Sequence, residues 1–132
     1  MSLHREEVEI LKRRSIEFLK GARMALEGGL YDLSCFLAEQ ALQLYLKAVM
    51  LELVGEYPRT HSIRRLLGEL NRVLKSRELE DFVRINRTRL SVLEDAYLIA
   101  RYFVKEYSEE DAKDLLELVE ETVELIKRIM SK

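Results

Sequence analysis

The sequence predicts an all-α fold, an up-and-down bundle of four or five helices. Three observations carry that prediction. Apolar residues recur at steps of three and four along most of the 132 residues. The period-two alternation of a half-buried strand is absent, as are the Asn-Gly and Asp-Gly pairs of tight hairpins. The connections between the periodic segments are short, which favours antiparallel neighbours. Residues 1–132 are read as one domain, long enough to bury a core without a metal or a disulfide.

The first helix is predicted over Leu3 to Glu27, with Val8, Leu11, Ser15, Phe18, Leu19, Ala22, Ala25 and Leu26 facing inward. Gly28-Gly29 ends it by supplying backbone angles that other residues resist. The second runs from Leu30 to about Val54, stopped by Gly55 and barred from continuing by Pro58. Thr60 or Ser62 caps the third, whose apolar stripe is Ile63, Leu66, Leu67, Leu70 and Leu74. Glu78 to Asn86 reads either as a helical turn or as a continuation. Another helix spans about Thr88 to Glu106, with Leu90, Leu93, Ala96, Tyr97, Ala100 and Phe103 or Val104 inward. Ser108-Glu109-Glu110-Asp111 forms a capping box before a last helix that runs to about Met130. Its inward residues are Ala112, Leu115, Leu116, Val119, Val123 and Ile126.

The second helix is too apolar for an ordinary surface helix. Wound at about 100° per residue, its polar residues Asp32, Glu39, Gln40, Gln43 and Lys47 fall within one arc. A helix lying on a core shows an apolar stripe a little over 100° wide, and this one shows roughly twice that. Either the helix sits at the centre of the bundle or its second side meets another molecule. The second reading places a dimer seam at Cys35, Ala38, Leu42, Tyr45, Leu46 and Val49. Large apolar side chains left wet would each forgo about 1.5–3 kcal/mol, so something covers them.

Composition narrows the class. One cysteine, Cys35, cannot close an internal bridge. No apolar run reaches the ~20 residues that span a bilayer, and the N-terminus lacks a signal-peptide core; a cytoplasmic protein is expected. Charged residues make up 35% of the chain while Asn and Gln together number four, a balance that points to a thermophilic source. The net charge of −2 excludes a general polyanion binder, but its distribution is uneven. Residues 59–89 hold nine basic and four acidic side chains; residues 90–132 hold six and eleven.

Several residue groups are candidates for chemistry. His61 is either a helix-start residue bonded locally or a base near neutral pH. Arg59, Arg64, Arg65, Arg72, Arg84, Arg87 and Arg89 pair with the acidic last helix, grip phosphate with their forked guanidinium groups, or dock on an acidic patch of a protein partner. Tyr97 and Arg101 are four residues apart and share a face; with Tyr102 they stack a base and hold a phosphate, or Tyr97 is core and Arg101 pairs with Glu94, Asp95 or Glu106. Lys47 and Glu39 sit in the polar arc of the second helix. Cys35 in an apolar helix reads as an inert thiol. Cys/His metal spacing, hydrolase elbows and glycine-rich phosphate loops are all absent, so neither a metal nor a cofactor is expected.

Four pieces of sequence, in order, carry a resemblance. Gly29-Leu30-Tyr31, Ala38-Glu39-Gln40-Ala41 and Leu46-Lys47-Ala48 form the first. Gly55 and Thr60-His61-Ser62-Ile63-Arg64-Arg65-Leu66-Leu67 form the second. Asp95-Ala96-Tyr97 with Ala100-Arg101-Tyr102, and Ser108 to Ala112, complete it. Over about Phe18 to Ile126 the chain resembles a HEPN domain, the higher-eukaryote-and-prokaryote nucleotide-binding family. The resemblance implies an all-α homodimer, a role beside nucleotide or RNA, and partnership with a minimal nucleotidyltransferase, in some pairs as toxin and antitoxin. Lys47, His61, Arg64, Arg65, Tyr97, Arg101 and Tyr102 are the residues expected at such a ligand. Members that cut RNA carry an Arg, four to six intervening residues and a His. The histidines here are His4 and His61, and positions 54–56 hold Val54, Gly55 and Glu56. The motif is missing, so no catalytic residue is assigned. The alternative is a ribonuclease with a degenerate site using His61, Arg101 or Tyr102.

Overall fold

A computed structural model describes residues 3–102 and 105–132. They form six helices: α1 (Leu3–Glu27), α2 (Tyr31–Val54), α3 (Ile63–Leu74), α4 (Arg77–Ile85), α5 (Arg87–Tyr102) and α6 (Glu109–Met130). No strand occurs among the described residues. The all-α bundle stands as predicted. The added helix is α4, read from sequence only as a turn or a continuation. It is separate because Lys75 adopts a left-handed conformation (φ 51°) and Ser76 caps the new start, accepting from Leu79 N–H. Asn71 fastens this break by bonding both the N–H and the C=O of Ser76.

The other ends follow local rules. Gly29 (φ 76°) closes α1: its N–H bonds to Leu26 C=O, and Leu30 N–H reaches back to Ala25 C=O. Of the two candidate caps for α3 it is Ser62 that accepts from Arg65 N–H, while Thr60 Oγ1 accepts from Ser62 N–H. The capping box at α6 is complete: Ser108 Oγ accepts from Asp111 N–H, and Asp111 accepts from Ser108 N–H. The helix predicted to reach Glu106 is not helical at Lys105 and Glu106. Phe103, Val104 and the side chain of Ala100 lie outside the described residues.

α2 is the centre of the bundle. It packs most extensively on α1, then on α6, α5 and α3. Its Leu42 and Leu46 meet Leu66, Leu67 and Leu70 of α3, Leu90 and Leu93 of α5, and Leu118 and Ile126 of α6 in one continuous core. The dimer seam is expected from sequence at Cys35, Ala38, Leu42, Tyr45, Leu46 and Val49, and a single chain already packs these residues. All six are buried within the single chain, none more than 7% exposed. Four helices of the same molecule surround α2, and of its apolar circumference Ala41, Tyr45 and Val49 border a groove between α1 and α6.

Candidate functional site

The polar arc of α2 points into the angle between α3 and α5. Phe36, Gln40, Gln43 and Lys47 recur at steps of three and four and form one row along the helix. Glu39, beside that row, is fully buried. Its carboxyl accepts from Gln40 Nε2 at 2.8 Å and from Gln43 Nε2. Gln43 Nε2 also reaches His61 C=O at 3.4 Å, so the row on α2 touches the start of α3. Burial pushes the Glu39 carboxyl up to about 7, against the opposing pull of the two amides and Lys47. Lys47 is half-buried, and that burial lowers its pKa. Its Nζ lies 5.7 Å from the Tyr57 ring centroid.

Phe36, at one end of this row, joins a stack built from two helices, α2 and α5, and the loop before α3. The His61 ring rests on Tyr97 with centroids 4.3 Å apart and planes 20° from parallel. His61 Nε2 and the Tyr97 hydroxyl are 3.4 Å apart. The Arg101 guanidinium sits 5.0 Å from the Tyr97 centroid and 5.5 Å from that of Phe36. In the order His61, Tyr97, Arg101, Phe36 the guanidinium lies between the Tyr97 and Phe36 rings, and His61 covers the other side of Tyr97. The i, i+4 spacing of Tyr97 and Arg101 on α5 makes this possible. Among the described residues Arg101 forms no ion pair with Glu94, Asp95 or Glu106; its guanidinium lies against two rings while the residue stays exposed.

Glu94 has another task. Its carboxylate accepts from Ser62 Oγ, from Arg64 N–H at 2.7 Å and from Arg64 Nε and Nη2 at 3.1 Å each. It thereby pins the α3 N-terminus to α5 and sets the height of His61. Arg64, expected at the ligand, is instead occupied by this clamp.

The structure brings His61, Tyr97 and Arg101 into contact and places Lys47 on the neighbouring helix row. Arg65 is exposed and outside the stack, and Tyr102 is 69% exposed one residue beyond Arg101. Elsewhere in the basic middle, Arg72 pairs with Glu69, Arg84 with Asp81, and Arg89 with Asp114. Arg59, Arg65 and Arg87 have no carboxylate partner among the described residues. Phe36 was missed by sequence reasoning, although the row Phe36, Gln40, Gln43, Lys47 carried the signal. Cys35 is buried near Asp111 and Asp32, and burial first, then those charges, raise its thiol to about 12. That agrees with an inert thiol.

Fold and site together define an all-helical domain whose central helix borders a stacked ring-and-guanidinium cluster. Comparison with known proteins gives this class a family. The family model described as HEPN domain matches residues 8–129, and the chain belongs to that family. The crystal structure of TT1696 from Thermus thermophilus is similar at 26% identity and a TM-score of 0.75, covering 98% of this chain and 99% of that one. ST0689, described as an archaeal HEPN homologue, is similar at 27% identity and a TM-score of 0.68, covering 92% and 97%. Among curated proteins no relative matches. No described helix is long and apolar enough to cross a membrane.

Proposed function

We propose that this chain is a non-catalytic HEPN module that binds nucleotide or RNA through His61, Tyr97 and Arg101. In this reading it is a cytoplasmic homodimer that accompanies a minimal nucleotidyltransferase, as in the toxin-antitoxin pairs of the family. The observation that carries the reading is the stack, in which His61 and Arg101 are exposed and Tyr97 and Phe36 half-buried. A base fits against stacked rings, and a guanidinium that lies against rings has its N–H donors available for phosphate. Arg59 and Arg65, unpaired on either side of His61, add positive charge beside it. With the α2 face buried, the second copy docks on exposed apolar side chains. Leu98 and Tyr102, one turn apart beside Arg101, are of that kind.

Fluorescence anisotropy with a labelled single-stranded RNA, and competition by AMP, tests the ligand. Base stacking is worth about 1–3 kcal/mol, so Tyr97→Ala weakens binding by roughly fivefold or more. Arg59→Ala with Arg65→Ala flattens the salt dependence. Unchanged affinity in Tyr97→Ala and Arg101→Ala overturns the site. Copurification with a nucleotidyltransferase encoded beside it tests the partner. The close approach of His61 Nε2 to the Tyr97 hydroxyl favours a second reading, RNA cleavage by a degenerate site. Cleavage abolished by His61→Ala would establish that reading instead.

A further inference from the structure

A second concavity lies on the other side of α2. Tyr45 is nine residues from Phe36, two and a half turns, so the two side chains leave the helix in opposite directions. There α1 and α6 stand apart over α2 and leave a groove of about 650 Å³. Its floor is Ala41, Tyr45 and Val49; its walls include Ile16 and Leu19 of α1 with Val119 and Val123 of α6. The small side chain of Ala41 deepens the floor, and Ile16, 66% exposed, stands on one wall.

Charged side chains (Lys12, Arg23, Glu120, Glu124 and Lys127) and Ser131 also line the groove, and two further hydroxyls lie among its apolar side chains. Ser15 and Tyr45 both line the groove, at 5% and 7% exposure, and neither hydroxyl has a hydrogen-bond partner among the described residues. Neither is sealed in: among the described residues the fully buried side-chain polar atom without a partner is the Tyr107 hydroxyl, elsewhere in the fold. Each hydroxyl therefore keeps some accessible surface, on a residue that lines the groove. Burial and the charges of Glu52 and Glu124 raise the Tyr45 phenol to about 12, so it is an O–H donor at neutral pH.

The surrounding charges cancel in pairs. Lys12 binds Glu52 at 3.1 Å, Arg23 binds Glu120 at 2.8 Å, and Lys127 lies 4.0 Å from Glu124. No charge among these six is left over to hold an ionic head group. A volume of this size, mostly apolar with a few convergent polar groups, is the usual form of a small-molecule site.

We propose that the groove between α1 and α6 binds a small, uncharged, mainly aliphatic molecule whose single hydrogen-bonding head group engages the hydroxyls of Tyr45 and Ser15. The site is independent of the His61 cluster, half a turn away around α2. Titration of the ¹⁵N-labelled protein with 1-octanol, octanoate and octylammonium, followed by NMR, tests it. Octanol is expected to shift the amides of Ala41, Tyr45 and Val123 saturably, and the two charged probes to bind at least about tenfold more weakly, since each would bury an unpaired charge. Tyr45→Phe keeps the ring and lowers octanol affinity about two- to tenfold; Ser15→Ala lowers it independently, and His61→Ala leaves it unchanged. Shifts that are unsaturable or map elsewhere overturn the proposal. So does equal binding of the charged probes, or unaltered affinity in both hydroxyl variants. Shifts of the same amides on raising protein concentration alone also overturn it, because the groove is then a contact between two copies.

Discussion

Glu39 faces two glutamine amides rather than a paired cation, and its burial sets how stability follows pH. At pH values below 4.5, its ordinary value, folded and unfolded chains both hold the proton, and burial carries no charge penalty. Between 4.5 and about 7 the folded chain keeps the proton while the unfolded chain releases it. Above about 7 the folded chain carries a buried anion. The unfolded state thus binds fewer protons across this window, and stability falls as pH rises through it, by on the order of 3 kcal/mol. Glu39→Gln cannot ionise and escapes the loss, with one neighbouring amide turned over to supply its acceptor. Urea denaturation at pH 4.5 and pH 8 checks this: the variant gains on the wild type at pH 8 and not at pH 4.5. A wild type that is the more stable at pH 8 would show that the carboxylate is needed as an anion. The sequence placed Glu39 in the polar arc of α2. It did not show the closure, because burial of that arc depends on how α3 and α5 cross it.

Most helices were legible because their ends use residues with strong local preferences. Gly29 closes α1, Gly55 (φ 82°) closes α2, and Ser62 and Ser108 cap α3 and α6. The junction of α3 and α4 was not legible, since a lysine occupies the left-handed position where glycine or asparagine is usual. The cost there is a Cβ clash of about 1–2 kcal/mol, met by the Asn71 clasp on Ser76. Lys75→Gly relieves the clash and gives back part of it as unfolded-chain entropy. We expect a net gain of about 0.5–1 kcal/mol in chemical denaturation. A loss would mean that the lysine side chain itself holds the junction. The stack was half legible for a related reason. Tyr97 and Arg101 share a helix face by spacing alone, whereas His61 and Phe36 join them only through the packing of three helices, with Glu94 holding the α3 start in place.

Over the whole molecule, the basic middle and the acidic end meet, as Arg89 does with Asp114 and Arg128 of α6 with Glu78 of α4. Such exposed pairs contribute little each, so the core decides stability. That core is closed within one chain: Leu42, Leu46, Leu66, Leu70, Leu93 and Leu118 are all fully buried with no second copy present. The sequence leaves a central helix and a seam on α2 open together, because a helix surrounded by four neighbours of its own chain and one shared between two chains have the same apolar circumference. The two cases differ in thermodynamics. A chain that needs its partner to cover α2 unfolds as it dissociates, and its midpoint rises with protein concentration. A chain that covers α2 itself unfolds from a folded monomer, even where weaker surface contacts pair the monomers. We therefore expect thermal or urea midpoints that stay constant over a hundredfold range of protein concentration, while sedimentation over the same range reports any association through the surface. A midpoint that climbs with concentration would show that the folded state requires the second copy and that the closed core of the single chain is insufficient.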